Sequence, residues 1–202
     1  MTQSVDVAVK NKIIRHGNGW CFTIRDFLGL GSDESIRQSL FHLNKQKFIR
    51  RLTQGIYDYP KVHEVLGIVP PDLTEVARAI AEKNGVKIQP AGAYAANLAG
   101  FSEQVPGRLV FLTEGPSRKV KIGNQDIVFK KTTSKIMASA GTREGIIIQA
   151  FKNLGKTHID QTIRARTRKF LEPSEKKDIR KNMKFAPAWI RILVFEIMEI
   201  SK

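Results

Sequence analysis

Gly17, Gly19, Gly31, Gly55 and Pro60 cut the first sixty residues into short segments, and the order of those segments constrains the fold more than any other feature of the chain. From about Gln3 to His16, apolar Val5, Ala8, Val9, Ile13 and Ile14 recur at near-helical spacing, which predicts a first helix ended by the two glycines. Trp20-Cys21-Phe22 reads as a short strand, after which Thr23 caps a two-turn second helix through Leu30. Ser32 opens a third helix: Asp33 and Glu34 fall in its first turn, where the helix dipole favours carboxylates, and Ile36, Leu40 and Leu43 form a core-facing stripe. Phe41, beside that stripe, is placed where it could be partly exposed, and the expectation is that it packs against the first or second helix. Two β-like runs, Phe48 to Leu52 and Ile56 to Tyr59, joined by Thr53-Gln54-Gly55, predict a hairpin whose glycine takes a positive φ. Helix, short strand, helix, helix, hairpin is the order of a winged helix-turn-helix.

Beyond a linker around Gly67 to Pro71, Asp72 and Glu75 make a start resembling a capping box for a helix carrying Val76, Ala77, Ile80 and Ala81. Val86 to Ile88 reads as a strand, Ala91 to Ala99 as a small alanine-rich helix and Arg108 to Thr113 as another strand. Arg118 to Ile122 and Asp126 to Lys131 alternate apolar and polar residues across Gly123-Asn124-Gln125, the pattern of a hairpin. From about residue 142 the periodicity is helical again, through Ile146 to Ile148, Ile159 to Leu171, Ser174 to Met183 and Pro187 to Ile200. The fold class expected is therefore α+β. Two domains are read, 1–60 and 72–202, and the second could divide near 140.

Charge narrows the function. The formal net charge is +15, an imbalance that self-repulsion disfavours unless a polyanion neutralises it. Residues 152–191 are the densest part, with twelve Lys and Arg against four acids, while no acid occurs between Ser35 and Tyr57. In a winged helix the third helix enters the major groove and the wing contacts phosphates. On that basis Arg37, Gln38 and His42 are the candidates for base edges, and Ser32, Ser35, Lys45, Arg50, Arg51 and Gln54 the candidates for the DNA backbone. Arg164, Arg168, Lys169, Lys177, Arg180 and Lys181 form a C-terminal basic surface, with Arg164 and Arg168 one helical turn apart as in a phosphate-tracking stripe. A different reading has that basic region bind an acidic partner protein directly.

Catalytic signatures are missing. His16, His42, His63 and His158 are scattered, no HExxH or CxxC spacing occurs, and neither Gly141–Gly145 nor Thr113–Ser117 ends in the Gly-Lys-Ser/Thr of a P-loop. The expectation is a protein with no catalytic residue, metal or cofactor. The single cysteine, Cys21, reads as a small buried hydrophobe and excludes an internal disulfide. Met1 to Asp6 lacks the features of a signal peptide, and Trp189 to Ile200, interrupted by Arg191, Glu196 and Glu199, is too short to span a bilayer, so a cytoplasmic location without membrane contact is expected. So wide an apolar face on that last segment should be buried within the second domain.

Several blocks together resemble the AbiEi-type antitoxins of bacterial and archaeal toxin–antitoxin systems, and a closely related family of uncharacterised proteins of about this size. They are Ser35 to Leu40 leading into Phe48 to Leu52 and Gly55-Ile56-Tyr57, the block Gln89 to Gly100, and the strand Arg108 to Gly115. The alanine-rich block after a winged helix is the most distinctive of these, and the likeness extends over roughly residues 1–135. The resemblance implies a transcriptional autorepressor that binds inverted repeats in its own promoter. It also implies a nucleotidyltransferase-like toxin as functional partner, countered without a stable complex, and it leaves room for a homodimer on the DNA.

Overall fold

The structure is a computed structural model in which residues 4–200 are described, so Gln3, the expected opening of the first helix, lies outside the described residues. The fold is α+β, and the chain divides into two compact units, one ending at Gly85 and one beginning at Val86.

The first unit begins with α1 (Val5–His16), capped by the Ser4 hydroxyl, which accepts from Val7 N at 3.4 Å, and ended by Gly17 at φ 83°. β1 (Cys21–Phe22) follows. The expected second helix is only a 3₁₀ turn over Ile24–Phe27, held by a complete capping box between Thr23 and Asp26. α2 (Asp33–Lys45), β2 (Arg50–Thr53) and β3 (Ile56–Asp58) complete the set, with the strands in the antiparallel order β1-β3-β2. Val9, Ile13, Phe22, Phe27, Ile36, Leu40, Leu43 and Ile49 make one core, with Trp20, Phe48, Tyr57 and Tyr59 packed at its edge.

A second hairpin, β4 (Val62–His63) and β5 (Gly67–Ile68), follows Pro60 and runs into the start of the segment read as a linker. After it, α3 (Leu73–Lys83) packs against β1 and β3, so the first unit runs to Gly85 rather than ending at Pro60. The reason lies in the two faces of the sheet. Phe22 and its partner Tyr57 turn to the helical core, while Cys21, Ile56 and Asp58 alternate to the other face and are buried there as well. α3 brings an apolar side of Leu73, Val76, Ala77 and Ile80 to cover them. At its start the Asp72 carboxylate accepts from Thr74 N at 2.8 Å, but Glu75 pairs with Arg78 at 2.6 Å and does not complete a capping box.

In the second unit, β6 (Ile88–Ala91) leads into α4 (Gly92–Leu98), then β7 (Arg108–Thr113), β8 (Arg118–Ile122) and β9 (Gln125–Lys131). The sheet order is β6-β7-β9-β8, with β7 and β9 parallel and the other pairs antiparallel. α5 (Ser134–Met137), α6 (Arg143–Leu154), α7 (Gln161–Leu171), α8 (Lys176–Met183) and α9 (Ala188–Ile197) follow. Ala95, Ala96 and Ala99 of the alanine-rich block are buried against the core made by α6 to α9, where small side chains let α4 lie close to α6. Gly145 marks a second close approach, because a Cβ there would lie 2.1 Å from the Ser139 carbonyl oxygen. Ile190, Leu193, Val194 and Ile197 of α9 are buried in the same core, as its apolar breadth requires.

Candidate nucleic-acid interface

α2 is built to separate two chemistries around one helix. Its N-cap, Ser32, accepts from Ser35 N at 3.2 Å, and the Ser35 hydroxyl donates back to the Ser32 carbonyl at 2.8 Å. Ile36, Ser39, Leu40 and Leu43 are buried, which turns Arg37, Gln38, Phe41, His42 and Lys45 outward, all of them exposed. Phe41 is the correction on this helix: it is 63% exposed instead of packing against a neighbouring helix, and its ring centroid lies 6.0 Å from that of His42. At the other end Lys47 takes a left-handed φ of 58°, a conformation in which a side chain is strained. That residue reverses the chain into the hairpin, with Phe48 N donating to the Leu43 carbonyl at 3.0 Å.

The hairpin is tied to α2 through Arg51 N, which donates to Asn44 Oδ1 at 3.1 Å. Its turn is tighter than the spacing implied, two residues with Gly55 at φ 68° between the paired Thr53 and Ile56, and the ladder is irregular between Arg51 and Thr53. Arg51 and Gln54 are exposed, as phosphate contacts must be. Arg50 is not available in that way. It stands opposite Asp58 in the register, and its Nε and a terminal nitrogen donate to the two Asp58 carboxylate oxygens at 3.1 and 2.6 Å, with a further bond to the Val69 carbonyl at 3.3 Å. The Asp58 side chain is 2% exposed, so a buried carboxylate has captured the guanidinium. Lys83, at the end of α3, is a cation that sequence reasoning did not find. Its Nζ donates to the Gln54 carbonyl at 2.7 Å and would lie 2.8 Å from a Cβ on Gly55, which brings a positive charge to the turn.

In the second unit the predicted basic residues fall on two helices, Arg164, Arg168 and Lys169 on α7 and Lys177, Arg180 and Lys181 on α8. The expected stripe faces acids at the C-terminal end of the chain: Arg164 lies 3.8 Å from Glu196 of α9 and Arg168 2.8 Å from Glu199 just beyond it, while Lys177 pairs with Glu175 at 2.7 Å. These pairs are exposed and contribute little net free energy, so a phosphate could displace them at small cost. Lys169 and Lys181 are exposed and enter no ion pair among the described residues.

A protein-family model matches residues 8–179, across both units. The chain belongs to DUF6088, a family of unknown function. Among solved structures, this DUF6088 protein is similar to the RV2827C protein from Mycobacterium tuberculosis, at 11% identity and a TM-score of 0.47, over 99% of this chain and 82% of that one. No curated protein matches it.

The one thiol of the DUF6088 chain lies on the α3 side of the small sheet. Burial, with the negative charges of Asp58, Glu75 and Asp72 in support, pushes Cys21 up to about 12, so it is protonated at neutral pH. Among the described residues no three His, Cys, Asp or Glu side chains gather as a metal site would require, and no helix is long and apolar enough to cross a membrane.

Proposed function

We propose that this DUF6088 protein is a cytoplasmic, sequence-specific DNA-binding regulator whose first unit works as a winged helix. The observation that carries the reading is the outward face of α2, where Arg37, Gln38, His42 and Lys45 stand exposed in a stretch free of acids, beside a hairpin fastened to the same helix. Arg37 and Gln38 sit one turn from the helix start and read base edges; a bidentate Arg or Gln contact discriminates between bases by about 1–3 kcal/mol. Ser32, Ser35, Lys45, Arg51, Gln54 and Lys83 hold phosphates. Arg50 is removed from that set and serves the hairpin instead. Lys169 and Lys181 add salt-dependent attraction that is independent of sequence. The biological role, autorepression by an antitoxin whose functional partner is a nucleotidyltransferase-like toxin, rests on the likeness of the Gln89 to Gly100 block to AbiEi-type antitoxins.

The test is a titration of the full chain against the duplex upstream of its own gene and a scrambled duplex, at two salt concentrations. Tighter binding to the upstream duplex, weakening at the higher salt, is the expected result. Equal binding to both would reduce the chain to a non-specific basic protein. Binding to neither would remove DNA as the partner, and co-purification with an acidic neighbouring gene product would then put a protein in its place.

A further inference from the structure

A cleft of about 480 Å³ opens in the second unit between β7 and the start of α4, within the size range of small-ligand sites. Its floor comes from strand alternation. Leu109, Phe111 and Thr113 turn to one side of β7 and are buried, which leaves Arg108, Val110 and Leu112 for the other side, where they line the cleft. The parallel register puts Lys130 beside Leu112. Arg108 lies four residues back along β7, about 13 Å at the rise of a strand. An aliphatic floor of Val110 and Leu112 is thus bounded by a cation at each end.

Both cations are available. Asp126, the neighbour of Arg108 in the register, is taken by Lys119 at 2.8 Å, and neither Arg108 nor Lys130 has an ion pair among the described residues. On the α4 side the wall is kept low by Ala91, Gly92 and Ala93, with Gly92 at φ 63°. Asn153 of α6 reaches over that wall, since a Cβ on Gly92 would lie 3.8 Å from its Oδ1. Its amide is exposed and supplies both a donor and an acceptor at the rim.

We propose that this cleft binds a free nucleotide. The guanidinium of Arg108 has the planar fork that suits phosphate oxygens, and the Val110–Leu112 floor suits the face of a base. Asn153 and Lys130, an amide and a pure donor, meet the base edge with its ring nitrogens and carbonyls. A simple anion would leave the floor and the amide unused, and a polynucleotide strand would need a continuous groove in place of one bounded cleft. The site belongs to the second unit alone and does not depend on DNA binding by α2.

Calorimetric titration of the full chain with GTP and ATP, and with inorganic phosphate as the reference anion, tests this. At least one of the two nucleotides is expected to bind saturably at one site per chain and at least tenfold more tightly than phosphate. Arg108→Ala should weaken that binding at least tenfold, with partial recovery in Arg108→Lys. Gly107→Leu should abolish it by filling the cleft. Gly107 lines the cleft and a Cβ there meets no atom within 4 Å, so the substitution is expected to keep the fold, which a circular dichroism melt verifies. Arg37→Ala, on α2 of the first unit, should leave nucleotide binding unchanged. The proposal is overturned if neither nucleotide binds, if phosphate binds as tightly as they do, or if the Gly107→Leu variant, folded, still binds. A single-stranded oligonucleotide that displaces the nucleotide at equal concentration would overturn it as well, making the cleft part of a nucleic-acid track.

Discussion

Replacing Arg50 by alanine separates a structural arginine from a DNA-contacting one. In the folded chain the Asp58 carboxylate is 2% exposed, and both of its oxygens accept from the Arg50 guanidinium. Removing one partner of a fully buried pair costs about 3–5 kcal/mol, because the remaining charge is left desolvated and alone. Arg50 is itself 32% exposed, so water can follow the truncation part of the way to Asp58. We therefore expect about 2–3 kcal/mol of lost stability, somewhat below the fully buried case. Arg51→Ala, one residue away and exposed, should change stability by no more than about 0.5 kcal/mol. Urea unfolding followed by tryptophan fluorescence measures both, with Trp189→Phe as background so that Trp20, packed against the core of the first unit, is the one tryptophan that reports. The double variant Arg50→Ala with Asp58→Ala should recover much of the loss, since no buried charge is then stranded. If Arg50→Ala unfolds like Arg51→Ala and instead lowers the salt dependence of DNA binding, the ion pair does not hold the hairpin and Arg50 is a phosphate contact after all.

Arg37→Ala should narrow the preference for the upstream duplex over the scrambled one by about 5- to 150-fold, the equivalent of one bidentate base contact, in a competition titration. Arg51→Ala should weaken both duplexes alike and reduce the slope of log affinity against log salt by about one. Gly145→Ala should cost about 1–3 kcal/mol or more in a thermal melt, because the new methyl group would meet the Ser139 carbonyl and overpack the α6 start. Cys21 should resist thiol reagents at pH 8 until the chain is unfolded. With its folded value at about 12, above the ordinary 9.0, the native state holds a proton that the unfolded chain gives up first. Stability should therefore fall as pH rises from about 9 towards about 12, and Cys21→Ala should lose that part of the slope.

Much of the first unit is legible in sequence because its signals are local. Caps at Ser32 and Thr23, glycines at the ends of elements and a stripe of Ile36, Leu40 and Leu43 act within a few residues of themselves, and they fell where helix, turn and hairpin form. The outward face of α2 follows from the same periodicity once the stripe is known. Phe41 went astray because an aromatic side chain was assumed to need cover; exposure of an apolar residue is a property of the neighbours, which sequence does not list. The C-terminal helices were legible in the same way, but the acids that meet Arg164 and Arg168 come from Glu196 and Glu199, more than thirty residues on, and only packing of α7 on α9 brings them together.

What the sequence determined by itself was therefore one-dimensional: the class of each segment, the buried side of each helix and the excess of positive charge. Tertiary structure decided which charges remain free. It joined α3 to the first unit because the small sheet had a second face to bury, and that burial sealed Asp58 so that Arg50 had to answer it. It also set Arg108 and Lys130 at the two ends of one aliphatic floor, because β7 and β9 pair in parallel. Local propensity cannot encode either outcome. Both depend on the burial of surfaces contributed by segments far apart in the chain.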